Sequence, residues 1–297
     1  MTINFKFFCC IFFLRSFLLS AGNSGDRQLL FEENKNQWDK KAVYKTDLAG
    51  GRMFLEKNAF TYVFYSQDDI ESAHDLSHDK EISAETLNDL PMHCHALKVD
   101  FVNSDPSVTV LGGNKQQQYH NYFIGSDPSR WAFNAKVYSE VNYIGLYKNT
   151  DMNVYSANGN LKYDFVLNPG ADPSLIQLRY SGMESLLLVN GNLVIKTSVQ
   201  NIVEQAPVAS QHIEGKKISV ECRFILKNNL IGFEFPAGYN SNYPLIIDPV
   251  LVAATYSGGT SSTMGHCATY DNSENIYTGG ACSGAGYPIT VGAFQTT

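Results

Sequence analysis

Signatures of the common enzyme classes are missing from this sequence. It has no Gly-x-Ser-x-Gly elbow, no His-Glu-x-x-His helix, no Walker loop and no dinucleotide fingerprint. Those omissions leave serine-hydrolase, zinc-protease and nucleotide chemistry without an anchor. No Cys-x-x-Cys spacing occurs, so a zinc ribbon or a thiol-redox motif is unsupported. Basic residues are scarce, 22 Lys and Arg against 29 Asp and Glu, which argues against a nucleic-acid partner because phosphate binding needs a cationic footprint. No apolar run reaches the roughly 20 residues of a transmembrane helix. A helical period is lacking too, apart from a short stretch near Pro128 to Phe133 and a weak turn near Glu85. What remains is a globular composition, 44% hydrophobic and 12% aromatic over 297 residues, ample for a packed core.

The first 22 residues read as an export signal. Lys6 and Arg15 flank the apolar stretch from Phe7 to Phe13, Phe17 to Leu19 follow, and Ser20, Ala21 and Gly22 make a small-residue exit. Arg15 interrupts the run, so the segment is read as cleaved rather than as an anchor. The mature chain is then expected to be soluble and exported, extracellular or at the cell surface. Losing Lys6 and Arg15 moves the formal net charge from -7 to -9. Most of that charge sits between Ser66 and Pro91, where eight carboxylates face Lys80 alone. With few large apolar residues, 66–91 is expected to be a solvated acidic loop between two strands. It contains no Gly for the turn of a calcium loop.

Cys9 and Cys10 would leave with the signal; Cys94, Cys222, Cys267 and Cys282 remain. Cys267 and Cys282 fall on neighbouring expected strands, which makes them the pair if a disulfide forms. Packing as free apolar thiols is the alternative.

Between these features the chain reads as strands. Phe60, Tyr62 and Phe64 share one face of a strand, as do Leu97, Val99 and Phe101 in the next. Leu161, Tyr163, Phe165 and Leu167 alternate in the same way after Asn158-Gly159, a pair suited to the positive φ angles of a tight hairpin. The device recurs at Asn190-Gly191, with longer hairpins near Glu214-Gly215 and Asn228-Asn229. Regularly spaced short strands with turn signals predict a mainly β fold, an antiparallel sandwich-like packing.

Candidate chemistry is thin. His93 and His95 lie on one face of a strand, but two ligands without a third make no zinc site, and no metal or cofactor is expected. Asp151, Asp164 and Asp172 could in principle supply the paired carboxylates of a glycosidase. Asp172 precedes Pro173 in a turn, however, and Asp164 reads as the solvent-face residue of a strand. Ser261, Ser262 and His266 occupy a Gly/Thr/Ser-rich turn without a nucleophile's strand-to-helix context. Carbohydrate-binding β domains hold sugars on Tyr and Trp platforms, and Tyr119, Tyr122 and Trp131 are the candidate ligand-binding residues on that ground.

Several stretches carry a resemblance: FEENKNQWDKKAVYKTDLAGGRMFLEKNAFTYVFY, HALKVDFV, YHNYFIGSDPSRWAFNAKVYSEVNYIGLY, LKYDFVLNPGADPSLIQLRYSG and YPLIIDPVLV. The chain resembles exported proteins of the Bacteroidota that join an N-terminal β domain (DUF7948-like) to β-propeller repeats of the SBBP kind. NIYTGGACSGAGYPITVGAFQTT resembles such a repeat, with Tyr277, Gly279, Tyr287, Pro288, Gly292 and Phe294 in its aromatic and glycine places. The resemblance implies residues 23–250 as the N-terminal domain and 251–297 as the first, truncated propeller repeat. One blade cannot bury both faces of its sheet, so further repeats are expected downstream. It also implies a non-catalytic scaffold or recognition module for glycans or other surface proteins. An extracellular polysaccharide hydrolase or lyase is the competing class.

Overall fold

The computed structural model describes residues 28–48, 50–77, 90–157, 160–252, 262–270 and 276–283. Residues 1–27, among them the segment read as an export signal, Asn158-Gly159, and most of the stretch that resembles a repeat lie outside the described residues. Two compact units are present, one with the described residues through 252 and one with 262–270 and 276–283.

The first unit is mainly β, as expected: one large antiparallel sheet nearly closed into a barrel. Its strands are β1 (Phe31–Glu33), β2 (Ala42–Leu48), β3 (Gly51–Glu56), β4 (Ala59–Tyr65), β5 (Cys94–Phe101), β6 (Thr109–Tyr122), β7 (Ala132–Tyr147), β8 (Thr150–Ala157) and β9 (Asn160–Leu167). They continue as β10 (Leu178–Ser181), β11 (Ser185–Val189), β12 (Asn192–Lys196), β13 (Asn201–Ile213), β14 (Lys216–Val220), β15 (Arg223–Lys227), β16 (Leu230–Glu234) and β17 (Leu245–Val252).

Most neighbours in space are neighbours in sequence, because tight turns return the chain on itself. Asn190 and Gly191, at φ 51° and 82°, reverse the chain between β11 and β12. Asn228 and Asn229, at φ 50° and 62°, do the same between β15 and β16. Long-range pairings close the sheet. β5 takes β10 on its free edge, β10 takes β16, and β17 lies between β9 and β13. Two strands divide an edge between two partners. β7 has β6 along one side, while its other side pairs with β1 at Val137 and Tyr138 and with β8 from Glu140 onward. β13 pairs with β12 at Asn201–Glu204 and with β14 at Ala209–Ile213. Pro207 lies between those halves, where the register against β17 also slips; proline cannot donate to a ladder and tolerates such breaks.

The alternation legible in the sequence is the alternation of burial. Phe60, Tyr62 and Phe64 of β4, Leu97, Val99 and Phe101 of β5, and Leu161, Tyr163, Phe165 and Leu167 of β9 all face the core. Phe60 is its hub: the rings of Phe101, Tyr143, Tyr163 and Tyr62 stand edge-on to it at centroid distances of 4.8, 6.1, 6.0 and 6.4 Å.

One expectation needs correction. Within the segment read as a solvated loop, Gln67–Ser77 form an α-helix, α1. Ser66 starts it: its carbonyl accepts from the amide of Ile70 at 3.1 Å and its hydroxyl from the amide of Asp69 at 3.2 Å. Asp68 and Asp69 fall in the first turn, where carboxylates meet the positive end of the helix dipole. The high acidic content that points to a solvated loop thus supports a helix start. Residues 78–89 lie outside the described part. The short helical stretch expected near Pro128 is a 3-10 turn, Pro128–Arg130, capped by Asp127.

The second unit contributes one antiparallel pair, β18 (Ser262–Tyr270) and β19 (Ile276–Ser283). Cys267 stands opposite Gly279 and Cys282 opposite Thr263; the side chains of both cysteines lie outside the described residues. Cys94 and Cys222 are free thiols, and burial pushes Cys222 up to about 12.

Candidate functional site

The residues singled out in the sequence occupy three settings. Tyr119, Tyr122 and Trp131 are on the hairpin of β6 and β7. Its strands, 14 and 16 residues long, exceed their neighbours, so its far end extends past the paired part of β1. There Phe123, Trp131 and Phe133 form a ring cluster, with Trp131 and Phe133 edge-on to Phe123 at 5.3 and 5.5 Å. Phe123 and Phe133 are 62% and 54% exposed, unusual for phenylalanine, and Tyr119 is 57% exposed nearby on β6. Asp127 accepts from the amide of Ser129 at 2.9 Å, and the Trp131 indole donates to the carbonyl of Gly125 at 3.1 Å. Local bonds of this kind hold the tip's shape. The two phenylalanines were missed in the sequence, where a Phe in a strand reads as core; the only cue was their position beside a Gly/Asp/Pro-containing turn.

Tyr122 lies below the tip in a different environment. Its hydroxyl donates to Oε2 of Glu32 at 2.7 Å, and its ring meets Trp38 edge-on at 5.7 Å. The same carboxylate oxygen lies 3.0 Å from Nδ1 of His120. Glu32 is 5% exposed on β1, and its other oxygen has no hydrogen-bond partner among the described residues. Lys45 sits over the Trp38 ring at 5.2 Å and pairs with Asp47 at 2.9 Å. Hydrogen bonding to Glu32 raises the His120 pKa; burial opposes this, and Asp47 and Lys45 contribute with opposite signs. Burial and the Glu32 charge drive the Tyr122 pKa up. This cluster fastens the hairpin to β1 and β2 through a buried carboxylate.

The carboxylates suggested for glycosidic chemistry do not assemble. Asp151 Oδ1 accepts from the amide of Gly145 at 2.7 Å, and Asp172 caps the 3-10 turn Pro173–Leu175. Asp164 does meet another carboxylate, but one the sequence reading had not chosen. Extending the β9–β17 register places it opposite Asp248, whose two oxygens accept from Lys162 at 3.0 and 2.8 Å. Burial and the Asp248 charge raise Asp164 to about 6, while a hydrogen bond from Tyr155 at 3.0 Å opposes the shift. The two carboxyls sit directly across the β9–β17 pairing, with Lys162 bonded to Asp248 and Tyr155 to Asp164, a local arrangement that does not flank a cleft as a glycosidase pair does. Their proximity is a cross-strand like-charge contact relieved by Lys162 and by proton uptake.

The third setting is the core itself. Glu204 of β13 is 2% exposed and accepts from the hydroxyls of Tyr163 at 3.0 Å and Tyr180 at 2.8 Å. Burial raises its pKa to about 6, against those two bonds. Phe60, Tyr62, Val99, Phe101 and Leu178 close around it without room for a water. This aromatic-lined carboxylate is closed within the core and bonded by two tyrosines.

The histidines once weighed as a metal pair have separate partners. His93 pairs with Asp69 at 2.8 Å at the start of α1. His95 lies 2.7 Å from the carbonyl of Gly182 through Nε2, and its Nδ1 accepts from the amide of Ser198 at 3.1 Å. It thereby ties the β10–β11 and β12–β13 connections to β5. Among the described residues, no three His, Cys, Asp or Glu side chains gather as a metal would require.

No curated protein and no solved structure matches the chain. A family model does, over residues 31–250, which begin at β1 and end within β17. The span takes in the hairpin, the Glu32 cluster and the buried Glu204, and the chain belongs to the DUF7948 family, described as a domain of unknown function.

Proposed function

We propose that this protein is an exported, non-catalytic recognition module, with glycans as the preferred ligand and other surface proteins as the alternative. The supporting observation is the hairpin tip, where Phe123, Trp131 and Phe133 form an exposed ring cluster close to Tyr119. Exposed aromatic rings stack on the apolar faces of sugars, and burying them against a ligand recovers the hydrophobic contribution lost by leaving them in water. A non-catalytic role agrees with the state of the acidic residues: Asp151, Asp172, Asp248 and Glu204 each serve a local structural bond. The leader-like N-terminus supports export, and the pattern from Tyr277 to Phe294 supports a propeller-type repeat after the family domain. In this reading the propeller carries the hairpin-bearing domain at the surface of a larger protein.

A glycan array probed with the chain from Asn23 onward tests this, with the array products checked for cleavage. Saturable binding without turnover is expected, lost in a Phe123→Ala/Trp131→Ala/Phe133→Ala variant that stays folded. Turnover of any glycan, undiminished binding by the variant, or silence across the array would each overturn the reading.

A further inference from the structure

We infer that the β6–β7 hairpin recognises acidic sugars, through a pair of adjacent ammonium groups beside an exposed tyrosine ring. This rests on the recognition reading and names its ligand class. Cross-strand register carries the argument. Lys115 lies opposite Tyr138, and Tyr119 lies opposite Lys136. The slip between these two pairs sets Lys115 and Lys136 on one diagonal of the outer face. Their side chains approach closely enough for each charge to act on the other, and the Lys115 pKa is lowered mainly by Lys136. Like charges brought together on a sheet oppose its pairing unless an anion relieves them.

The local carboxylate does not suffice. Glu33 of β1 is the acidic residue whose charge acts on Lys115. Its Oε1 already accepts the backbone amide of Lys136 at 2.9 Å and lies 3.3 Å from the ammonium of Lys35. Glu33 is therefore already engaged by Lys35 and by the Lys136 backbone, beside two further ammonium groups on a chain whose formal charge is -7. A cationic spot on an acidic protein selects for an anion by local complementarity.

The surroundings favour a sugar over a bare anion. Tyr119, directly across from Lys136, offers an exposed ring face. Tyr138 borders the lysines on the other side, lying over Gly112, where a Cβ would fall 2.4 Å from its ring. That glycine lets the tyrosine lie flat on β6, and Tyr44 holds it in place with an edge contact at 5.7 Å. The Tyr119 ring and two ammonium groups thus line one face above the packed Tyr138, matching a sugar ring with a carboxylate or sulfate on its rim.

Binding of an oligogalacturonate to the mature chain, compared with its methyl ester of equal length and with inorganic sulfate, tests the inference. The acid form should bind at least ~10-fold more tightly than the ester, as expected for charge-assisted contacts. Lys115→Gln/Lys136→Gln should remove that preference, and added salt should weaken acid binding alone. Equal binding of acid and ester, or a preference that survives in the double variant, would overturn the acidic-sugar inference and leave the recognition reading standing. Sulfate binding as tight as the oligosaccharide would overturn it in favour of a plain anion site. Binding of none of the three, in a chain that is also silent on the glycan array, would remove both readings.

Discussion

Two groups of aromatic rings in this protein share an edge-to-face geometry and differ in their relation to water. Around Phe60, four further rings and Glu204 fill the interior, and every hydroxyl bonded to Glu204 comes from a buried tyrosine. At the end of the β6–β7 hairpin, Phe123, Trp131 and Phe133 make similar contacts at 5.3 and 5.5 Å with their outer surfaces open. Ring-to-ring geometry therefore says little about role; what each cluster displaces from water decides it. The interior rings account for stability, since burying a large side chain is favourable by roughly 1.5–3 kcal/mol. The exposed tip phenylalanines forgo most of that contribution, which in the proposed reading a bound ligand restores.

Truncating one ring in each cluster is the sharpest way to break the comparison. Phe60→Ala should destabilise by about 3–5 kcal/mol, because it opens a cavity among rings that cannot collapse into it. Phe123→Ala should change stability by less than about 0.5 kcal/mol. Urea denaturation of the two variants measures the contrast, and comparable losses would mean that the tip is part of the core.

Glu204 gives a second contrast. Its folded pKa, about 6, lies above the usual glutamate value, so the folded state binds the extra proton. Stability should therefore fall as pH rises from the unfolded value of about 4.3 to about 6, and then level off. At about 1.4 kcal/mol per pKa unit the loss is on the order of 2 kcal/mol. Glu204→Gln keeps polar atoms near Tyr163 and Tyr180 and should make that slope shallower, leaving the share due to Asp164, which unfolding free energies at pH 4.5, 5.5 and 7 would reveal. An unchanged slope would assign the effect to Asp164, whose pKa is raised to a similar value.

The smallest effect is expected at the hairpin's fastening. The His120 pKa is raised by Glu32, so the pair's contribution is fully present below the unfolded histidine value of about 6.5 and disappears as pH rises through the folded one. Half of the His120 side chain is in water, and solvent screening limits the effect to about 1 kcal/mol or less. His120→Gln should remove this pH dependence and hasten amide exchange in β6 near Tyr119 to Tyr122 more than in β4. Uniform exchange rates in the variant would detach His120 from the hairpin.

Much of the architecture was legible because a strand's two-residue period records which face is buried. The alternations in β4, β5 and β9, and the Asn and Gly residues of the turns, required no tertiary information. α1 was not legible as a helix: its acidic residues point to a solvated loop, although Ser66, Asp68 and Asp69 are also the residues that start a helix. Tyr119, Tyr122 and Trp131 could be picked out as a group, since they lie close in sequence. Their separation into an exposed platform, a buried support and a member of a ring cluster could not be seen, because it depends on β1 arriving beside β7 with Glu32.

By itself, then, the sequence determined a mainly β chain with its turns, its alternating core faces and its acidic insertion, all consequences of local backbone preference and side-chain period. Only the tertiary structure decided which polar residues meet. Asp164 came to face Asp248 across 84 positions of sequence, Tyr180 and Tyr163 came to share Glu204, and Lys115 came to adjoin Lys136. The physical reason is register: the pairing of strands distant in sequence is set by how the whole sheet closes, and a shift of one residue turns every side chain to the opposite face.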